Sequence, residues 1–308
     1  MDFRTIIPVT LSAYTLQHSH QLMLLGSCFT ENIGERLQHA KFKVDVNPFG
    51  ILYNPISIAD ALNRLIKKQI FTEKELFFSN EQYHSFSHHS RFSHMNVDDC
   101  LNAINQRFLL SAELLQKTDF LFITFGTAWV YELKETGQIV SNCHKLPDSK
   151  FTRRRLTVKE IVAVYSQLIQ QFNNSTVQQI IFTVSPIRHW KDGAHENNIS
   201  KSILLLAIEE LRLQFKNVSY FPAYELVLDD LRDYRFYAED MLHPNAIAID
   251  YIWGKFGACY FSTETQRTAS EIEKLKRALA HRPFNKAGEE YKQFCQQTLN
   301  KIKQLELV

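Results

Sequence analysis

The chain has 308 residues, 45% of them hydrophobic and 22% charged, which is ordinary usage for a globular protein. The net charge of +2 provides no overall field that would attract nucleic acid or an anionic membrane, so neither is expected as a partner. The 5 cysteines form no CxxC pair, and the sequence indicates no disulfide framework, no metal site and no cofactor. No apolar run reaches the length of a signal-peptide core or a membrane span, which predicts a cytoplasmic protein.

The first predicted elements are a strand followed directly by a helix. The apolar run 22–25 ends at Gly26 and predicts a buried strand. Residues 29–37 have the apolar spacing of a helix. Ser27 is therefore predicted to lie where the chain turns from strand to helix.

The next segments are a helix and an insertion. Residues 57–66 predict a helix with Ser57 as its N-cap. The stretch 70–95 is rich in Phe, His and Ser without a clear period, and it predicts an irregular or hairpin insertion. The densest basic run of the chain is typical of a solvated loop or a helix start, and it contains Lys150, Arg153, Arg154 and Arg155.

The remaining elements alternate between helices and buried strands. Helices are predicted over Val97–Leu115, 158–172, 197–215 and Ala246–Tyr260, and strands over Phe120–Phe125, Gln179–Val184 and 218–221. This alternation predicts an α/β fold with a central parallel sheet, in which ligands gather at the carboxyl ends of the strands. We expect one shared site because four motif residues follow predicted strands, namely Ser27, Gly126, Ser185 and Tyr224.

The C-terminal stretch 263–308 differs from the preceding domain, residues 1–262. Its charged segments Thr263–Ala280 and 285–307 have helical patterns. We expect a helical extension that packs either on the domain or on a second subunit. The second arrangement would make the protein a homo-oligomer through these helices.

The turn after Gly26 is the first candidate for chemistry. A helix start offers unpaired N–H groups and the positive end of a dipole, which suit a developing oxyanion. Ser27 is the candidate nucleophile, and the alternative is a plain N-cap serine. Cys28 is a competing nucleophile, because a helix N-terminus also favours a thiolate. The alternative for Cys28 is a small buried core residue.

Asp240 and His243 are the candidate orienting acid and base. A spacing of three residues on a turn places both side chains on one side of the chain. The carboxylate can then bind one imidazole nitrogen while the other nitrogen faces the nucleophile. The alternative is a capping Asp and an incidental His.

The motif Gly-Ser-Cys-Phe at 26–29, together with Asp-Met-Leu-His-Pro at 240–244, resembles the GSCFA family, a branch of the SGNH/GDSL hydrolase superfamily. The resemblance covers residues ~20–260. Further blocks similar to those of the family occur in order at 47–55, 125–129, 183–186 and 221–225.

The resemblance implies a three-layer α/β/α flavodoxin-like sandwich with a central parallel sheet. It implies that Ser27 is the nucleophile, His243 the base and Asp240 the orienting acid. The oxyanion hole of the superfamily would use the N–H groups of Ser27 and Gly50.

The third oxyanion donor of the superfamily, an Asn side chain, is missing from this sequence. Ala128 stands where that Asn is expected. Loss of one such donor can cost ~100- to 1000-fold in rate, so we expect a replacement. The candidates are the hydroxyl of Thr127, the indole N–H of Trp129 and the amides of Asn47 and Asn54.

Loops at predicted strand ends supply candidate substrate contacts. His144, Arg188 and His189 are either pocket residues or solvated loop residues. Asn47 and Trp129 are also candidates.

The sequence thus predicts a serine hydrolase, an esterase or deacylase that removes a short acyl group such as acetyl. The substrate would be an ester of a carbohydrate or another small polar alcohol. One alternative is an O-acyltransferase that passes the acyl group to a sugar hydroxyl. The other is a non-catalytic SGNH-like fold used for binding.

Overall fold

The computed structural model describes residues 4–280 and 288–305. The strands are β1 Gln21–Gly26, β2 Lys43–Val46, β3 Leu76–Ser79, β4 Gln82–Ser85, β5 Phe120–Phe125, β6 Trp129–Leu133, β7 Ile139–Val140, β8 Phe151–Arg155, β9 Gln179–Val184 and β10 Val218–Tyr220. The helices are α1 Cys28–His39, α2 Pro55–Lys67, α3 Val97–Leu115, α4 Val158–Gln171, α5 Gly193–Gln214, α6 Ala223–Glu225, α7 Ala246–Tyr260, α8 Thr263–Ala280 and α9 Glu289–Leu305. A π-helical segment, Leu226–Leu231, continues α6.

Five parallel strands form the central sheet in the order β10-β9-β5-β1-β2. Numbered among themselves, these strands follow the order 2-1-3-4-5, which is that of flavodoxin-like doubly wound sheets. The strand order reverses between β1 and β5, and ligands of such sheets bind at the carboxyl ends near that point. The predicted α/β fold with a central parallel sheet is confirmed.

Helices cover both faces of this sheet. Successive side chains of a strand point to opposite faces, so β1 contributes to two cores. Met23 and Leu25 pack with residues of α2, α3, α4 and α5, whereas Leu22 and Leu24 pack with residues of α1 and α7. Each such buried side chain contributes about 1.5–3 kcal/mol of transfer free energy. The predicted three-layer arrangement is therefore present.

Side-chain caps define where the helices start. The Asn54 side chain accepts the N–H of Ser57 at 2.9 Å and caps α2, with Pro55 as the first helical residue. The prediction of Ser57 as the N-cap is wrong, because Ser57 lies in the first turn and its hydroxyl accepts from the Asn54 amide. Thr157 and Glu160 form a capping box at the start of α4.

A three-stranded antiparallel sheet, in the order β7-β6-β8, follows the carboxyl end of β5. The prediction of a solvated loop or helix start for the basic run is wrong, because most of that run forms β8. Carboxylates on neighbouring elements neutralise it, and the ion pairs are Arg153 with Asp192, Arg154 with Glu132 and Glu160, and Arg155 with Glu196.

The insertion is a hairpin, which was one of the two expected arrangements. β3 and β4 pair antiparallel. Behind them the ring of His88 stacks on Phe49 at 4.9 Å and lies 4.6 Å from Phe71. These contacts fix the hairpin on the main core.

The C-terminal helices α8 and α9 contact each other. The hydroxyl of Thr265 donates to the carbonyl of Leu16 at 2.8 Å and joins the start of α8 to the domain. Residues 285–287 and 306–307 of the predicted last helix lie outside the described residues, and the expected subunit contact stays a prediction. Within the two described ranges, no helix combines the length and the apolar character that crossing a membrane requires.

Candidate active site

The candidate site lies at the carboxyl ends of β1, β5 and β9, beside the point where the strand order reverses. A pocket of about 520 Å³ opens there, a size within the range of small-molecule sites. Its wall combines nucleophilic, aromatic and basic side chains, among them Cys28, Tyr53, Asn54, Trp129, Tyr131, Arg153, Arg188, His189, Trp190, Lys191, Asp192 and His243.

The turn from β1 to α1 requires glycine at position 26. The φ angle of Gly26 is 145°, and a Cβ there would lie 2.2 Å from the carbonyl oxygen of Thr124 on the neighbouring strand. The Gly26 N–H donates to Oδ1 of Asn47 at 2.9 Å. Asn47, a predicted substrate contact, is buried beneath the turn and does not line the pocket.

Ser27 occupies the N-cap position of α1, and its hydroxyl makes no hydrogen bond to His243. Its backbone is extended, with φ −68° and ψ 176°, and its side chain makes no capping bond. Ser27 is 1% exposed, and none of the described groups pairs with its hydroxyl. The predicted hydrogen bond between the Ser27 hydroxyl and His243 is therefore absent among the described residues.

The side chain that faces the base is Cys28, the first residue of α1. Its Sγ lies 3.8 Å from Nε2 of His243, and both residues line the pocket. Burial raises the pKa of the Cys28 thiol, although the N–H groups of Cys28 and Phe29 at the helix start oppose the shift. The sulfur therefore keeps its proton at neutral pH, and its activation requires a neighbouring base.

The turn that carries His243 is held by Asp240. Nδ1 of His243 lies 2.5 Å from Oδ2 of Asp240, while Oδ1 accepts the N–H groups of Leu242 and His243, each at 2.9 Å. These hydrogen bonds lower the pKa of Asp240 to about 2, so the carboxylate is charged at neutral pH. The structure brings Asp240 and His243 together at the predicted spacing, with Nε2 left to face Cys28.

The predicted oxyanion donors are occupied by bonds within the fold. The N–H of Ser27 donates to the Thr124 carbonyl at 3.3 Å, and the N–H of Gly50 donates to the Asn47 carbonyl at 2.8 Å. The hydroxyl of Thr127 lies 3.1 Å from that of Ser200 and also accepts a backbone N–H, that of Trp129, at 3.1 Å.

Other donors remain near Cys28. No carbonyl of the described chain accepts the N–H groups of Cys28 and Phe29, as is usual in the first turn of a helix. Asn54 lines the pocket, and its Nδ2 donates one hydrogen to Ser57 at 2.9 Å and keeps a second one. Nε1 of Trp129 is buried with no partner among the described residues.

Two of the three loop residues predicted to contact substrate line the pocket, and the third does not. Arg188 and His189 line the pocket, whereas His144 does not. Nε2 of His144 lies 2.9 Å from the Ser85 carbonyl, and its ring lies 4.5 Å from that of His84. Burial lowers the pKa of His144 to about 4, so it is a neutral residue that packs against the hairpin insertion.

His189 contributes a neutral imidazole to the pocket wall. Its ring meets the ring of Tyr53 edge-on, with the centroids 5.5 Å apart. Burial, followed by the nearby charge of Lys201, lowers the pKa of His189 to about 3. His189 is therefore uncharged at neutral pH.

Sequence reasoning missed Lys201 on α5. Its Nζ donates to the carbonyl of Gly126 at 2.6 Å and to that of Ser185 at 2.7 Å, and so joins the carboxyl ends of β5 and β9. Lys201 is 1% exposed, and burial lowers its pKa to about 7. Lys201 stands on the same helix face as Leu204, Ile208 and Leu211, and this spacing is the signal in the sequence that could have identified it as buried.

The fold and the site define an α/β protein with a Cys–His–Asp arrangement beside its first strand. The chain belongs to the GSCFA family: the model of that family matches residues 21–256, and a model of the GSCFA domain protein C-terminal domain matches residues 272–308. The resemblance seen in the sequence is thus confirmed.

A carbohydrate esterase family 3 from Talaromyces cellulolyticus is similar with a TM-score of 0.36 and 12% identity, over 83% of this chain and 99% of that one. At these values the likeness carries no argument about activity. Comparison with curated proteins gives no match.

Proposed function

We propose that the protein is an acyl-transferring hydrolase in which Cys28 is the nucleophile, His243 the general base and Asp240 the residue that orients the base. The observation that carries the proposal is the distance of 3.8 Å between Cys28 Sγ and His243 Nε2, with Asp240 2.5 Å from the other imidazole nitrogen. A nucleophile, a base and an orienting acid in this relation catalyse acyl transfer on unrelated folds.

Cys28 takes the role that the sequence resemblance gave to Ser27. The Ser27 hydroxyl is buried and has no partner within the described chain, so neither the base nor an ester reaches it without rearrangement. The Cys28 sulfur lies on the pocket side of the same turn. A cysteine side chain is also a stronger nucleophile than a serine hydroxyl at neutral pH.

In the first half-reaction, His243 Nε2 takes the proton from Cys28 Sγ as the sulfur bonds to the carbonyl carbon of the ester. The carbonyl electrons move to the oxygen, which the Cys28 N–H and the Asn54 amide stabilise. When the carbonyl re-forms, the C–O bond to the alcohol breaks. His243 gives its proton to the departing alkoxide, leaving a thioester on Cys28.

In the second half-reaction, His243 takes a proton from water while the water oxygen bonds to the thioester carbon. The C–S bond then breaks, and His243 returns the proton to the Cys28 sulfur. The products are the carboxylic acid and the free thiol. Asp240, whose pKa is about 2, remains ionised throughout and stabilises the imidazolium formed in each half.

The proposed substrates are esters of short acyl groups, such as acetyl, with a carbohydrate or another polar alcohol. The SGNH-like sequence blocks support an ester as the reacting group. The pocket of about 520 Å³ has room for a small alcohol as well as the acyl group. Trp129, Tyr131 and Trp190 contribute aromatic side chains to its wall.

The test is hydrolysis of short-chain aryl esters by the wild type, Cys28→Ala, Ser27→Ala and His243→Ala. We expect Cys28→Ala and His243→Ala to lose about 1000-fold or more of kcat, because removing either member disables the pair. Ser27→Ala should stay within about threefold of the wild type, because its hydroxyl has no hydrogen bond among the described residues to lose. Loss of activity in Ser27→Ala alone would overturn the assignment.

A further inference from the structure

We propose that the substrate of this pocket carries an anionic group, such as a carboxylate, and that Arg188 binds it. The inference rests on the proposed function for the reacting ester, and it adds a second recognition element to that site. The anionic group belongs either to the acyl part or to the alcohol part of the ester. Both positions present the same chemistry to a guanidinium group.

Arg188 has far more hydrogen-bond donors than the fold uses. A guanidinium group has five N–H donors and no acceptor. With the described residues Arg188 makes one hydrogen bond, from Nη2 to the carbonyl of Met241 at 2.6 Å. In the described parts of the chain, Nε has no acceptor and no carboxylate lies within 4.0 Å of the guanidinium group. Its other neighbours are aromatic, with the rings of Trp190 and Tyr237 at 5.0 and 5.1 Å.

The three arginines of β8 show the contrast. Arg153, Arg154 and Arg155 each form an ion pair with a carboxylate on a neighbouring element. Of these three arginines and Arg188, only Arg188 has no carboxylate within 4.0 Å among the described residues, and it lies in the pocket wall. A partly desolvated cation without a counter-ion is costly unless a ligand supplies the opposite charge.

The charge balance of the pocket wall points the same way. The wall contains three cations, Arg153, Arg188 and Lys191, and one carboxylate, that of Asp192. Asp192 is already paired with Arg153. Lys191 donates to the hydroxyl of Tyr131 at 2.8 Å, a neutral partner. An entering anion thus meets two cations, Arg188 and Lys191, that have no carboxylate within 4.0 Å among the described residues. Nη1 of Arg188 and the second N–H of its Nη2 remain for charge-assisted hydrogen bonds to that anion.

Arg188 also supports the turn that carries the base, because it bonds to Met241. A simple loss of activity in a variant would therefore not separate anion binding from support of the turn. The ratio of kcat/KM for an anionic ester to that for its neutral counterpart does separate them. Damage to the turn lowers both values, and only a lost anion contact changes their ratio.

The experiment measures this ratio with two substrate pairs. Phenyl hemisuccinate against phenyl butyrate places the charge on the acyl part, and 4-acetoxybenzoate against 4-acetoxybenzamide places it on the alcohol part. We expect Arg188→Gln to lower the ratio about 10- to 100-fold for one of the pairs, and Arg188→Lys to restore part of it. Arg235→Gln, at an exposed arginine paired with Asp233, should leave both ratios unchanged. Unchanged ratios in Arg188→Gln would overturn the inference.

A second measurement keeps the inference independent of turnover. Succinate and 4-hydroxybenzoate are unreactive, and an anion that binds the folded protein raises its unfolding midpoint. We expect one of them to raise the midpoint of the wild type but not that of Arg188→Gln. If the wild type hydrolyses no ester but shows this effect, the proposed function fails and the anion site stands. If neither anion stabilises the wild type more than Arg188→Gln, the anion site is refuted.

Discussion

Cys28 Sγ lies 3.8 Å from Nε2 of His243, although the two residues are 215 positions apart in the sequence. The contact forms because the carboxyl end of β1 and the turn that begins at Asp240 lie at the same edge of the sheet. It joins a thiol that burial keeps protonated to a base that Asp240 orients. The chemistry proposed for this protein depends on that relation.

The first prediction concerns the orienting acid. Asp240→Asn removes the charge that binds Nδ1–H of His243, and the amide does not fix the same tautomer. We expect kcat to fall about 100- to 10,000-fold with a small change in KM. Steady-state kinetics on an aryl ester measures both constants.

The control for this variant is Asp233→Asn, at an acid seven residues earlier that binds Arg235 on the surface. It should keep the activity of the wild type. Equal activity of Asp240→Asn and Asp233→Asn would show that Asp240 does not orient the base.

The second prediction concerns the glycine between β1 and α1. Gly26→Ala places a Cβ 2.2 Å from the Thr124 carbonyl at a φ of 145°, and either the strand or the turn must move. We expect the free energy of unfolding to fall by about 3 kcal/mol or more. Urea unfolding followed by circular dichroism measures this change.

Gly254→Ala is the matched control, because a Cβ there meets nothing within 4 Å and Gly254 lies within α7. It should stabilise the protein by about 0.5–1 kcal/mol, the usual difference between Ala and Gly in a helix. A similar effect of both substitutions would contradict the steric role assigned to Gly26.

The third prediction concerns Lys201. Burial lowers its pKa to about 7 in the folded protein from the 10.5 of a solvated lysine, so above pH 7 the unfolded chain binds more protons than the folded one. The free energy of unfolding should therefore rise between pH 7 and 10, with a slope from this group of up to about 1.4 kcal/mol per pH unit. Lys201→Met should lack that part of the slope.

Urea unfolding at several values between pH 7 and pH 9.5 provides the comparison. Lys216→Met, an exposed lysine just after α5, is the control and should keep the slope of the wild type. Parallel curves for Lys201→Met and the wild type would show that burial does not perturb this ammonium group.

The alternation of apolar strands and helices was sufficient to predict four strands of the central sheet and most helix bounds. Val97–Leu115, Phe120–Phe125 and Ala246–Tyr260 form as predicted. β2 was missed because Lys43–Val46 is short and carries polar side chains. The sheet formed by β6, β7 and β8 was missed because its pairing joins segments that show no local pattern.

One contact of the candidate site was predicted, and the roles of its residues stay a proposal. A spacing of three residues identified Asp240 and His243, since a short turn alone brings such a pair together. The orientation of Ser27 and Cys28 depends on where the helix begins: Ser27 is the extended cap and Cys28 the first helical residue. Adjacent side chains at such a boundary point in different directions, and a four-residue motif does not determine which one meets a distant base.

Identification of the acylated atom decides between Cys28 and Ser27 as the nucleophile. The protein is mixed with a phenyl acetate, quenched in acid and digested, and the peptide that contains residues 27 and 28 is sequenced by mass spectrometry. If Cys28 is the nucleophile, the acetyl group is on Cys28, neutral hydroxylamine removes it readily, as expected for a thioester, and it is absent from Cys28→Ala. An acetyl group on Ser27, or an acetylated peptide that persists in Cys28→Ala, would contradict this assignment.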